Sequence, residues 1–126
     1  MDERLFVSGL AYSDGEPVVV RVRQRGRRID IDDDGAAVTR ARAVGTTTRW
    51  LDVAQRVAAD DDLNVNRRGV ISVPAVKGRD IDELAARVAR TSRTLEGALL
   101  AEEPRPASAW VRNSRTRFRE RTWFGV

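Results

Sequence analysis

An α+β fold is predicted: a small antiparallel sheet from two β-hairpins, packed with helices that include a long C-terminal one, followed by an arginine- and aromatic-rich extension. Three observations predict it. Two stretches, 17–32 and 63–76, alternate apolar and polar side chains about an Arg-Gly turn. The segments between and after them place apolar residues at three- and four-residue spacing. The chain has 126 residues, 41% of them hydrophobic, which suffices for one modest core without staples.

The elements follow in order. A strand is expected around Leu5 to Leu10, leading into YSDGEP, whose Asp14-Gly15 and Pro17 have turn chemistry. PVVVRVRQRGRRIDID then reads as a hairpin about Arg25-Gly26, with Val18, Val20 and Val22 on one face and Ile29 and Ile31 on the inward face of the returning strand. After Gly35, Ala37, Ala41 and Val44 suit a short helix ending near Gly45. Thr46 to Thr48 offer N-caps for a second helix through RWLDVAQRVAA, with Trp50, Val53, Ala54 and Val57 on its apolar face. Three acids, Asp60 to Asp62, oppose the helix dipole and end it. A second hairpin is predicted from Leu63 and Val65 through Arg67-Arg68-Gly69 to Val70–Val76, with Pro74 placing the returning strand at an edge or stopping it early. The last helix opens on Asp80 as N-cap with Glu83 three residues on. Its stripe is Ile81, Leu84, Ala85, Val88, Leu95 and Leu99, with Arg87, Arg90, Arg93 and Glu96 on the other face. Pro104 and Pro106 mark a boundary, giving one α+β domain over 1–103 and an extension over 104–126.

Charge divides along the same line. The extension has six arginines against the single acid Glu120, so it carries +5 of a chain whose total is +4, and 1–103 is left at −1. It also holds four of the seven aromatic residues: Trp110, Phe118, Trp123 and Phe124. These, with Arg112, Arg115, Arg117, Arg119 and Arg121, are the candidate partner-binding residues. Arginine interleaved with Trp and Phe suits either phosphate with stacked bases or an acidic apolar groove on a protein. It also suits packing back on the chain's own core or completing a homodimer, and the alternation Thr116, Phe118, Glu120, Thr122, Phe124 suits an added strand.

Several chemistries are excluded or disfavoured. There is no cysteine and no histidine, which removes disulfides, thiolate sites, imidazole ligands and the commonest general base. Lys77 is the sole lysine and has neither a Ser-x-x-Lys nor an acid-x-Lys context. The glycines form no phosphate-binding loop, so neither enzyme activity nor a cofactor is expected. No apolar run approaches the ~20 residues of a membrane span. The opening MDERLFVSG reverses the basic-then-apolar order of a secretory signal, so a cytoplasmic location is expected.

One stretch looks like an ion site. Residues 30–35, DIDDDG, match the first half of an EF-hand loop, with Asp30, Asp32 and Asp34 as ligands and Gly35 at the turn, but the position that needs a bidentate glutamate is Ala41. The Ile–Asp alternation also makes Asp30 and Asp32 outward-facing strand residues. Asp33, Asp34 and Gly35 then form a turn and helix cap, and no metal is expected there.

Asp14-Gly15-Glu16-Pro17, VVVRVRQRGRRIDI, Asp33-Asp34-Gly35 before a helix, and the hairpin and helix from Leu63 to Leu100 together resemble the family known as domain of unknown function 1828, over about four-fifths of the chain. In that family the hairpin ends in Thr-Asp-Asp-Gly, and here the threonine position is Asp32. The resemblance implies a small protein of phages and mobile elements and supplies no reaction or ligand. The expectation is a non-catalytic protein that binds a protein partner, such as a toxin or a host defence protein, in the manner of an antitoxin, immunity or anti-defence factor. Nucleic-acid binding through the basic extension is the alternative, and a carboxylate-metal enzyme the second alternative.

Overall fold

Val18, Val20 and Val22, at every second residue of β2 (Pro17–Arg25), give that strand an apolar face, and the fold is built on it. The computed structural model describes residues 2–45, 48–76 and 80–101, with the backbone alone for Val76. β1 (Asp2–Ala11), β2, β3 (Arg28–Asp32), β4 (Asn64–Val65) and β5 (Ile71–Val76) form one antiparallel sheet in the order β1-β2-β3-β5-β4. Three helices, α1 (Ala36–Val44), α2 (Trp50–Asp60) and α3 (Ile81–Ala101), complete the α+β architecture. The two predicted hairpins are joined edge to edge, because β3 pairs with β5 from Arg28↔Val76 to Asp32↔Ser72.

Val18, Val20, Val22, Ile29, Ile31, Ile71 and Ala75 point from the sheet to the helices and are buried. They meet Val38 of α1, Val53 of α2, and Leu84, Val88, Leu95 and Leu99 of α3. Together these side chains form the main apolar term in stability. α3 is the element against which the others pack: it touches α1, α2 and the four strands β1, β2, β3 and β5.

Several local expectations need correction. On α1, Val44 is 75% exposed and Val38 takes its place in the core, since the helix turns its 37–38–41 face inward. The N-cap position of α2 is Arg49 and makes no side-chain cap bond, so the capping role expected of Thr48 is not filled; Thr46 and Thr47 lie outside the described residues. Glu96 is buried on the inner face of α3 and not on its arginine side. β5 is interior in the order of the sheet, but β4 begins only at Asn64, opposite Ser72, and leaves the Pro74 position paired with β3 alone, a local edge of the kind the proline predicts. Asp80 does cap α3, its Oδ1 accepting the Glu83 N–H at 3.1 Å.

At the β4–β5 turn the Asn66 side chain accepts the N–H groups of Arg68 and Val70, at 2.9 and 3.0 Å. This sets Gly69 against Val38. Gly69 has φ +84, and a Cβ placed there would stand 2.7 Å from the Val38 Cβ. Both the backbone conformation and the space therefore demand glycine. Gly69→Ala is expected to lower stability by ~1–3 kcal/mol, read as a reduced urea midpoint at unchanged slope.

Candidate functional site

The five aspartate and glycine residues at the end of β3 have separate fates. Asp30 accepts the Nε–H of Arg28, two residues earlier on the same strand, at 2.9 Å. Asp32 accepts the Arg21 Nε at 2.9 Å and an Arg23 guanidinium nitrogen at 2.9 Å. Its side chain is 3% exposed, so the outward-facing residue expected from the alternation is covered by the two arginines of β2. Asp34 is exposed and reaches Arg21 at 3.3 Å. Burial works against the Arg21 charge, but Asp32 and Asp34 outweigh it and hold this guanidinium above its ordinary value.

Asp33 turns the other way, into the core. Its Oδ1 accepts the N–H groups of Gly35 at 2.8 Å and of Ile71 at 2.9 Å, and its Oδ2 accepts the Ser92 hydroxyl at 2.7 Å. With its proton given to Asp33, Ser92 Oγ is the acceptor for the Tyr12 hydroxyl 2.8 Å away. The turn is thus tied at Asp33, while Asp34 and Gly35 supply left-handed backbone with φ 58 and 73. Burial also raises the Tyr12 hydroxyl above its ordinary value, against the Ser92 bond. Arg40 lies over the Tyr12 ring, 4.4 Å from its centroid.

Two more buried polar contacts tie loops to α3. Glu96 accepts the Ser13 N–H at 3.1 Å and the Ser13 hydroxyl at 2.7 Å, fixing the β1–β2 turn. Thr91 donates to Asp61 at the end of α2. Sequence reasoning missed Tyr12, Ser92 and Glu96 as a group, because 80 residues separate the first two and only the folded chain brings them together.

The opposite face of the sheet carries no helix among the described residues. A cleft of about 480 Å³ runs from this face past the end of β3 to Thr39 of α1, lined by Arg21, Arg23, Arg28 and Arg68, by Asp30, Asp32 and Asp34, and by Asn66, Ser72 and Thr39. Four arginines against three aspartates leave it slightly basic. Arg28 is 71% exposed, and Arg68 makes no ion pair among the described residues. Toward β1 the face becomes apolar, with Leu5 62% and Val7 67% exposed.

Among the described residues no group of three or more acids is arranged to hold a metal ion, and the aspartates of the EF-hand-like stretch face guanidinium groups. The candidate partner-binding residues Trp110, Arg112, Arg115, Arg117, Phe118, Arg119, Arg121, Trp123 and Phe124 lie outside the described residues, as does Lys77. No described helix is long and apolar enough to cross a membrane. No protein-family model, curated protein or solved structure matches this chain.

Asp33 gives a test of this geometry. Burial, the largest influence, pushes its carboxyl above the ordinary 3.8, against hydrogen bonds from Ser92, Ile71, Gly35 and Ala37. A folded-state value above the unfolded one means that the native state holds the proton more tightly. Its contribution is then greatest in acid and falls as pH rises from about 3.8 through the folded-state value. Asp33→Asn keeps an acceptor for the two N–H groups and is expected to remove this part of the pH dependence in urea titrations. Asp33→Ala leaves both donors buried and unpaired and is expected to cost ~2–5 kcal/mol at neutral pH.

Proposed function

We propose that the chain is a non-catalytic protein that acts by binding another protein, and that the partner sits on the open face of the sheet. The observation that carries this reading is the one-sided sheet itself: helices cover one face, and the other presents charged and apolar side chains together. Such a face suits a partner that brings carboxylates to Arg28 and Arg68 and apolar side chains to Leu5 and Val7. The buried carboxylates support a non-catalytic role, because Asp33 and Glu96 are each taken up by N–H and hydroxyl donors that hold loops in place. An antitoxin, immunity or anti-defence role is the form of this reading that the resemblance to the phage and mobile-element family supports.

Nucleic acid is the second reading, favoured by the arginines of the cleft and the six of the extension. Asp30, Asp32 and Asp34 count against it, since they place carboxylates where phosphates would approach.

The test uses the full chain to capture proteins from its native host, then titrates the purified captured protein against wild type and Arg28→Glu/Arg68→Glu. Both arginines are exposed, so the fold is expected to persist in thermal melts. A one-to-one complex weakened about tenfold or more by the double reversal supports the reading, that ratio being ~1.4 kcal/mol. A complex indifferent to the reversal removes the open face from it. Affinity for DNA or RNA that falls steeply with salt would establish the second reading instead.

A further inference from the structure

Among the described residues β1 is an edge strand with a free side. β2 pairs with it on one side only, regularly from Asp2↔Gln24 to Val7↔Val19, and the strand bulges at Gly9, whose φ is +82. Phe6 lies opposite Val20 and packs on the core side. Leu5 and Val7 lie opposite Arg21 and Val19 on the open face, 62% and 67% exposed. A long apolar edge of this kind is a template for another strand, and proteins ordinarily cover or blunt it.

We propose that a second copy of the chain covers this edge, its β1 pairing antiparallel with this β1 about a two-fold axis normal to the sheet. Two independent features select a second copy. The first is the strand itself. In such a pair the residue at the axis stands opposite its own counterpart, so few registers are available. An axis at Arg4 opposes two guanidinium groups, one at Leu5 sets Glu3 against the partner's Val7, and one at Val7 sets Leu5 against the partner's Gly9 in the bulge. An axis at Phe6 opposes the two phenyl rings, sets Leu5 against the partner's Val7 and Val7 against the partner's Leu5, and places Arg4 against the partner's Ser8. Apolar side chains then meet on both faces and no like charges meet. This register uses residues 4–8 alone, which end before the bulge.

The second feature is α3. Ile81, at its start, lies beside Asp2, Glu3 and Arg4, and Glu96 bonds Ser13 just past the end of β1, so α3 runs alongside β1 in the same direction. At about 1.5 Å per helical residue against about 3.3 Å per strand residue, Phe6 is level with roughly residues 87–88 of α3. The flank of α3 on the β1 side carries Glu96, while Thr91, bonded to Asp61 of α2, marks the far flank. At ~100° per residue the β1 flank also carries Asp82, Ala86, Ala89 and Arg93. Asp82 and Arg93 lie equally far from the level of Phe6, and so do Ala86 and Ala89. The axis that pairs the strands therefore brings Asp82 toward the partner's Arg93 and Arg93 toward the partner's Asp82, with the alanines between them. Both charged residues are exposed, and neither has an ion-pair partner among the described residues. α3 packs on both β1 and β2, so with strands ~4.8 Å apart the two helices stand ~10–14 Å from each other, a gap that an arginine side chain crosses. The dimer joins two five-stranded sheets into one and gathers Leu5 and Val7 of both copies at the centre of its open face. The inference goes beyond the protein-binding reading and does not rest on it.

Sedimentation of the full chain, disulfide trapping between chains and a charge swap test it, and the absence of native cysteine makes each engineered pair unique. The full chain is expected to sediment as a dimer at micromolar concentration. Leu5→Cys chains mixed with mass-tagged Val7→Cys chains place opposed cysteines at ~4.5–5.5 Å between Cα atoms, whereas like with like is diagonal at ~7–8 Å, outside disulfide range. The mixed disulfide is therefore expected to form about tenfold or more faster than either like pair, read by mass on non-reducing gels. Asp82→Arg sets like charges together at two symmetric places and is expected to weaken the dimer about tenfold or more. Asp82→Arg/Arg93→Asp is expected to restore it, with thermal melts showing each variant folded. A chain that stays monomeric, like pairs that close as fast as the mixed one, or a double swap that leaves the dimer weakened would overturn the proposal.

Discussion

The Asp33 carboxylate is the point on which the two halves of the sheet, α1 and α3 all depend. The β3–β5 ladder runs to Asp32↔Ser72, and the next pair in register is Asp33 with Ile71. The Asp33 N–H still donates to the Ile71 carbonyl at 3.0 Å, but the return bond from the Ile71 N–H goes to the Asp33 side chain instead of its carbonyl. That substitution frees the Asp33 carbonyl to accept the Ala36 N–H at 3.1 Å, the first bond of the turn into α1. One residue therefore closes a strand and opens a helix without leaving a buried donor unpaired. Its second oxygen then fixes the middle of α3 through Ser92, and through Ser92 the end of β1 at Tyr12.

The remaining buried polar groups of α3 repeat this device at other loops. Thr91 holds the end of α2 and Glu96 the β1–β2 turn, so one face of a single helix sets the positions of three connections. A carboxylate buried without a cation is costly unless donors surround it, and Asp33 and Glu96 are so surrounded. These bonds specify which loop lies where, while the valine and leucine contacts supply most of the free energy. Because every described helix lies on one side of the sheet, that arrangement also leaves the arginine-lined face open.

What the sequence revealed divides along the same physical line. The hairpin faces of Val18, Val20, Val22, Ile29 and Ile31 were legible because alternation is a local property of a strand. The stripe of α3 was legible for the same reason, from Leu84 through Leu99. Glu96 and Asp32 were misplaced because charge alone suggests solvent, and only a partner distant in sequence, Ser13 or the Arg21 and Arg23 pair, makes burial affordable. Pro74 signals a local edge, and that edge exists because β4 reaches only Ser72, a limit that nothing near Pro74 in the sequence states. Of the candidate site, the aspartate cluster was visible as a landmark, whereas the cleft required the joining of β3 to β5.

The cluster IDIDDDG is best understood through its neighbours. Four carboxylates within five residues repel one another unless each is given a cation or a set of donors. β2 supplies the cations by register: Arg21 stands opposite Asp32 and Arg23 opposite Asp30, and both guanidinium groups converge on Asp32. Arg21 also bridges to Asp34, which lies beyond the end of the strand, so it holds the turn as well as the hairpin. The alternating arginines of β2 and aspartates of β3 are therefore one unit, and a shift of a single residue would move every charge to the apolar face. This coupling explains why the cleft is nearly neutral despite its four arginines: most of its charge is spent internally on register. Its exposed charge lies at the rim, at Arg28 and Arg68, beside the apolar margin along β1.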